Sequence, residues 1–211
     1  IDIGGESTRP GADRVSEEEE IARTIPVITE LAKHGVTLSI DTMRASTAEA
    51  AIKAGASIVN DVSGGLSDSK MLQTAARLQV PYIAMHWRGQ SKDMNSKAIY
   101  GDVVNDVIAE LNERIEAALD AGIAKDKLII DPGIGFAKDA EHNWAIIDSI
   151  DRFGAMGYPV LVGASRKRFL GGDSPDQREQ ATIELTKRLG TTGVWAVRVH
   201  SVKPHKEVLS S

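Results

Sequence analysis

Cysteine is absent from this 211-residue chain, which excludes disulfides and thiolate metal sites and fits the cytosol. Long apolar runs are absent too. None approaches the roughly 20 residues that span a bilayer, so no membrane partner is expected, and no signal peptide is visible. Excess basic charge is lacking: a net charge of -5 and a pI near 5.6 offer nothing to nucleic acid or an anionic membrane surface. No G-x-G-x-x-G follows a strand, and there is no Walker loop and no H-E-x-x-H pair. Gly163-Ala164-Ser165-Arg166 approaches the G-x-S-x-G elbow of serine hydrolases but lacks its second glycine. An initiator methionine is missing as well. Ile1-Asp2-Ile3 reads as the middle of an element, and the natural N-terminus is expected upstream.

What is present, 42% hydrophobic and 26% charged, is ordinary for a soluble globular protein. Leu128-Ile129-Ile130 is too short for a helix and rich in β-branched residues, so it reads as a buried strand that ends on Asp131 and is stopped by Pro132 and Gly133. A charge at such an exit is costly unless it is partnered. The arrangement repeats along the chain. A strand tail at Ile1–Ile3 precedes a glycine-rich loop, Gly4 to Gly11, whose hydroxyls and guanidinium suit an anion. Ser16 and Glu19 resemble a capping box for a helix reaching about Lys33, bent at Pro26. Further strands are expected at 36–40, 56–59, 81–85, 159–162 and 194–199. Helices are expected at 45–54, 70–79, 100–121, 143–156 and 179–189, with another from 203 onward that looks cut short. Residues 90–97 and 171–177 read as polar loops. Strands alternating with helices imply a parallel sheet with crossover helices, and no linker divides the chain, so one domain is expected. Seven strands suit an open doubly wound sheet. A (β/α) barrel needs eight, and the abrupt N-terminus leaves room for the eighth.

The strand exits carry the chemistry. They hold Thr8 and Arg9, Asp41, Asn60, His86, Asp131, Ser165 with Lys167, and Arg198 with His200. In either fold these exits converge on one face. Asp41, Asn60 and Asp131 suit a neutral heterocycle rich in N–H donors, whereas Arg9, Lys167, Arg198 and His200 suit a phosphate or carboxylate. Each has a plainer reading. Asp41 alone serves equally well as a helix N-cap, Asn60 as a turn residue and His86 as a packed histidine. Arg166 and Arg168 read as solvated or bound to helix ends. His34, His142 and His205 read as surface residues. Six or more polar exits in register are harder to explain by structure alone.

Six blocks together resemble the signature sequence of the dihydropteroate synthase family. They are Asp2 to Gly11, Ser39 to Thr42, Asn60 to Gly64, Asp131 to Phe136, Gly163 to Leu170, and Arg198 to His200, in the family's order and from end to end of the chain. Met85-His86-Trp87-Arg88-Gly89 is similar to an actinobacterial form. The resemblance implies a (β/α)8 TIM barrel, here spanning residues 1–211 and lacking its first strand and part of its last helix. It implies joining 6-hydroxymethyl-7,8-dihydropterin diphosphate to 4-aminobenzoate, with release of pyrophosphate and use of Mg2+. By position, Asp41, Asn60, Asp131 and Lys167 would hold the pterin, with Met85 and Gly163 beside it. Arg198, Val199 and His200 would face the diphosphate. Thr8, Arg9 and Pro10 would form a loop near the aminobenzoate, whose pocket Ser165 and Phe136 would line. Asp41, Asp131, Lys167, Arg198 and His200 would be the catalytic set.

The family's Mg2+-binding asparagine precedes residue 1, so no metal ligand is expected within this chain, and the barrel is expected not to close. Ser201 stands where the family usually has Asp. The resemblance further implies a cytoplasmic homodimer, and members of that family are targets of sulfonamides that compete with aminobenzoate. Rival readings are a methyltetrahydrofolate:corrinoid methyltransferase-type barrel, which lacks the Ser165-Arg166-Lys167 block, a non-catalytic pterin-binding paralogue, and an open-sheet nucleotide-binding protein.

Overall fold

Side chains alternate across each strand, and that alternation decides what faces the centre of the molecule. A computed structural model of the chain describes residues 1–8, 11–90 and 94–210. Seven parallel strands occur among them: β1 (Asp2–Gly4), β2 (Ser39–Asp41), β3 (Ile58–Asp61), β4 (Tyr82–Met85), β5 (Leu128–Asp131), β6 (Leu161–Val162) and β7 (Ala196–Val197). Strands β1 to β5 pair in sequence order, β6 pairs with β7, and a parallel bridge from Ile130 to Val160 joins the two groups. A doubly wound sheet reverses its strand order at a switch point; this one does not.

The sheet also rolls up. Six strand spacings would separate β1 and β7 by roughly 29 Å if it were flat. Instead Asp2 Oδ2 in β1 lies 3.7 Å from Arg198 Nε, just beyond β7. The fold is an α/β barrel, and the open-sheet alternative falls away.

The two faces separate cleanly. Ile40, Val59, Tyr82, Ala84, Leu128, Ile130, Val160 and Val162 point outward into the large core beneath the helices. Ile58, Ile83, Ile129, Leu161 and Ala196 form a small plug inside the barrel. Asp41, Asn60, Met85 and Asp131 keep the plug's parity, two residues on from Ser39, Ile58, Ile83 and Ile129, so they end up inside, at the carboxyl ends of their strands.

The outer layer is α1 (Glu17–Ala32), α2 (Ala45–Ala54), α3 (Met71–Leu78), α4 (Val103–Asp120), α5 (Ala140–Asp148), α6 (Ile150–Gly154), α7 (Glu179–Leu189) and α8 (Val202–Leu209). Consecutive helices from α1 to α5 touch, as do α7 and α8. Ser16 Oγ accepts from the Glu19 amide at 3.2 Å and starts α1, which Pro26 does not end. Asp102 accepts from the amides of Val104 and Asn105, so α4 begins at Val103 rather than at Tyr100.

Three further expectations need correction. The helix expected at 143–156 is two helices, broken at Ser149, and the first begins earlier because Asp139 and His142 form a capping box. The strands around residues 36 and 194 are shorter than their apolar runs, since only Ser39–Asp41 and Ala196–Val197 pair. His205 is not a surface residue: it is 2% exposed where α8 packs on α7, and its Nδ1 lies 2.8 Å from Thr186 Oγ1. The expected loop at 90–97 falls partly outside the described residues; Met94–Lys97 forms a 3₁₀ turn.

Candidate functional site

The register sets the floor of the site. Gly4, Asp41 and Asn60 are direct neighbours across β1, β2 and β3, and Met85 pairs with Asp131 across β4 and β5. Asp131 is 1% exposed and receives the Gly133 amide at 2.8 Å. Its other oxygen lies 3.5 Å from Arg198 Nη2, the partner that a carboxylate at a buried exit requires. Asn60 Nδ2 donates to Asp2 Oδ2 at 3.0 Å, and Ser39 Oγ donates to Asp2 Oδ1 at 2.6 Å.

Three polar groups at this floor remain available. Buried Asn60 Oδ1 and Arg198 Nη1 have no hydrogen-bond partner. No donor among the described residues bonds the Asp41 carboxylate, so Asp41 is not a helix cap; Arg44 holds the cap position of α2. Buried polar atoms of native proteins are nearly always paired, so unpaired ones grouped around Asp131 make this the candidate binding site. Burial, and then repulsion from Asp2, push the Asp41 carboxyl up to about 7 despite Arg198.

Lys167 forms the opposite wall. It follows the β6 exit, and its ammonium donates to the Ile134 carbonyl and lies 4.6 Å from the Phe136 ring centre. Burial brings it down to about 7, with Asp131 opposing the shift and Arg198 adding to it. Gly135, at φ +77°, makes room: a Cβ there would come within 2.7 Å of Lys167 Cδ. Gly163 does the same for Arg198, since a Cβ would sit 2.7 Å from Nη2. Phe136 and Met85 pack together with Met43, Val62 and Ala137 as an apolar shoulder.

Ser165 Oγ accepts the His200 amide at 3.3 Å and lies 2.9 Å from His200 Nδ1, so the β6 and β7 exits are tied. Arg166 turns the other way. At φ +57° it reaches Glu179 at 2.5 Å and Ser201 at 2.7 Å, holding the loop between Ser165 and Lys167 from behind. Ser201 thus takes a guanidinium. Val199 lines a small cavity against α7 with Val162, Ala164, Leu189, Ser165 and Arg198. Thr8 is part-exposed, and Arg9 and Pro10 lie outside the described residues.

The structure therefore gathers Asp41, Asn60, Asp131, Lys167 and Arg198 round one cleft. Two features differ from the sequence reading. The anionic and cationic halves are not separate walls, because Arg198 inserts between Asp2 and Asp131. Asp2 was not singled out, although its two-residue offset from Gly4 gives it the inward parity of Ser39 and Asp41.

The comparisons with known proteins agree with this fold. The profile of the family described as pterin binding enzyme matches residues 1–200. The dihydropteroate synthase of Mycobacterium leprae is 46% identical over 219 aligned residues, covering 99% of this chain and 77% of that protein. The structure of Yersinia pestis dihydropteroate synthase with a sulfonamide drug superposes with a TM-score of 0.96 at 38% identity, covering 100% of this chain and 78% of that one. That of the Xanthomonas albilineans enzyme with 4-aminobenzoic acid gives 0.93 at 41% identity, covering 99% and 76%.

Proposed function

Because this chain belongs to the pterin-binding enzyme family and has dihydropteroate synthases as its relatives, we propose that the cleft of Asp41, Asn60, Asp131, Lys167 and Arg198 is where dihydropteroate is made. The protein is a transferase of folate biosynthesis. It joins 6-hydroxymethyl-7,8-dihydropterin diphosphate to 4-aminobenzoate and releases pyrophosphate.

The observation that carries the assignment to this cleft is the set of unsatisfied polar atoms at its floor. The Asp41 carboxylate and Asn60 Oδ1 accept, and a pterin edge is rich in N–H donors. Arg198 Nη1 donates, and the diphosphate offers oxygens. The reaction breaks the C–O bond between the pterin methylene and the diphosphate, and the bonding pair leaves with pyrophosphate. Positive charge on the methylene spreads into the ring, where Asp41 and Asp131 stabilise it. Arg198 and His200 take up the negative charge of the leaving group. The aminobenzoate nitrogen then forms the C–N bond with its lone pair and sheds a proton to solvent or pyrophosphate. No side chain becomes covalently attached, consistent with a sequence that carries no nucleophile elbow.

Mg2+ belongs to the proposal as the ion accompanying the diphosphate. Among the described residues no group of three or more histidine or carboxylate side chains could hold a metal ion, and Asp2 and Asp131 are already engaged by Arg198. No step above is drawn through it. The proposal also includes a cytoplasmic homodimer. The absence of cysteine supports the first part. Exposed Val202 and Leu209, two turns apart on one face of α8, support the second, and light scattering at micromolar concentration tests it. No helix among the described residues is long and apolar enough to cross a membrane.

The deciding assay is pyrophosphate release by the full-length protein. Release that requires both substrates supports the synthase, tight pterin binding without turnover supports a non-catalytic module, and failure to bind pterin at all overturns the reading.

A further inference from the structure

Lys138 lies just past the Asp131 loop, and its side chain folds back beneath it. It is 8% exposed, and Nζ meets three acceptors: His86 Nδ1 at 2.8 Å, the Gly133 carbonyl at 3.0 Å and the Phe136 carbonyl at 3.0 Å. An ammonium has three donors, so none is left over. With Nδ1 accepting, the His86 proton sits on Nε2, which faces Glu110 Oε2 at 2.9 Å; Arg88 Nε binds the same carboxylate at 3.0 Å. Burial draws Lys138 itself well below the usual lysine range, with the Asp131 charge opposing that shift. Burial and the Lys138 charge bring the His86 ring down to about 4, so it is neutral. Burial pushes Glu110 up, but the hydrogen bonds from His86 and Arg88 outweigh it and bring the carboxyl down to about 2.

The loop that Lys138 grips is one that needs gripping. Gly133, Gly135 and Ala137 all have positive φ, and for Ala137 that is uphill. A Cβ on Gly133 would lie 2.4 Å from the His86 carbonyl, so the loop is pressed against β4's exit. The same short loop accepts Lys167 at Ile134, carries Phe136, and donates its Gly133 amide to Asp131. It therefore sets the positions of three residues in the cleft.

We propose that Lys138, backed by His86 and Glu110, is a positioning residue for the pterin half of the site, fixing the Pro132–Ala137 loop so that Asp131, Lys167 and Phe136 meet the ring together. The proposal rests on the reading of the cleft above. Lys138 bonds neither Arg198 nor His200 on the β7 side, so it can reach the diphosphate half only indirectly, through the 3.5 Å contact of Asp131 with Arg198, and its main effect falls on the pterin half.

The test is Lys138→Met in the full-length protein, which keeps the stem's length and removes every donor. Affinity for the pterin diphosphate, and kcat/KM for it, should fall at least tenfold. The inhibition constant of inorganic pyrophosphate should stay within threefold of wild type. A folded variant with wild-type pterin affinity overturns the proposal, and so does equal weakening of pterin and pyrophosphate, which a merely structural lysine would produce. Should this variant not fold, Lys138→Gln retains two N–H donors on a shorter arm; a three- to tenfold loss confined to pterin supports the clamp, and no loss overturns it. Wild-type protein that neither binds pterin nor turns over would instead sink the functional reading itself.

Discussion

Arg198 Nη2 stands 3.5 Å from Asp131 Oδ2, across 67 residues of sequence and the gap between the seventh and fifth strands. The guanidinium also reaches Asp2 at 3.7 Å, so it is the cation on which the carboxylates of the barrel floor converge. Its Nη1, which carries two N–H donors, is unpaired, and it is this group that the departing diphosphate would meet.

Arg198→Met should therefore lower kcat/KM by about 10²–10³, the loss seen when one pre-aimed donor to developing negative charge is removed. Its loss also takes away a charge that draws the Asp41 carboxyl downward. The acid limb of the pH–rate profile should move to higher pH as a result. Steady-state kinetics within tenfold of wild type would show that the guanidinium is not at the reacting end of the substrate.

Gly135→Ala makes a different point. The substitution forces a side chain into positive φ and drives a methyl group to 2.7 Å from Lys167 Cδ. The strained backbone should cost about 1–3 kcal/mol, read as a lower urea midpoint. Turnover should drop further than stability alone explains, because Lys167 must move. A variant with wild-type midpoint and wild-type rate would mean that the loop yields freely.

Much of this was legible in the sequence. Ser16 accepts an amide at the start of α1 and reads as its cap from sequence alone, whereas Asp102 and Asp139 carry the same local signal and were passed over, so both of those helix starts were misplaced. The inward parity of Asp41, Asn60 and Asp131 follows from the two-residue period of a strand once its exit is found. What escaped is what depends on closure. Lys138 finds His86 at a separation of 52 residues, and Arg198 finds Asp2 only because the sheet curls. His205 was misread because a short helix with a lysine on either side of its proline gives no sign of the neighbour that buries it. The Ser149 break was invisible because the apolar period runs on through it.

Arg44 predicts a purely structural loss. It pairs with Glu20, which is 1% exposed, and with Glu6 at 3.1 Å, while its Nη2 donates to the Val15 carbonyl at 2.5 Å. Arg44→Met leaves Glu20 buried with only the Thr42 and Thr47 hydroxyls as donors. Breaking a buried pair from one side costs about 3–5 kcal/mol. Chemical denaturation should show a loss of that order, with kcat per folded molecule little changed because neither partner enters the cleft. A loss under 1 kcal/mol would mean that the pair is hydrated.

The pH dependence follows from two groups displaced in opposite directions. Burial raises Asp41 to about 7 and lowers Lys167 to about 7. Binding the ring needs the negative charge of Asp41, which is lost as pH falls below 7, and the positive charge of Lys167, which is lost as pH rises above 7. The profile of kcat/KM should therefore be bell-shaped with its maximum near 7, and its limbs belong to the coupled pair. Asp41→Asn should lose the acid limb, and Lys167→Met the alkaline one along with most of the rate. Stability carries a second signature. The folded state holds the Asp41 proton more tightly than the unfolded chain does, so Asp41 makes folding less favourable as pH rises from about 4 to 7. Lys167 holds its proton less tightly when folded, so its penalty falls away between about 7 and 10. Asp41→Asn should accordingly raise the melting temperature more at pH 8 than at pH 5. An equal shift at both values, or a flat rate profile between pH 5.5 and 8.5, would mean that these two groups do not titrate within the working range of the site.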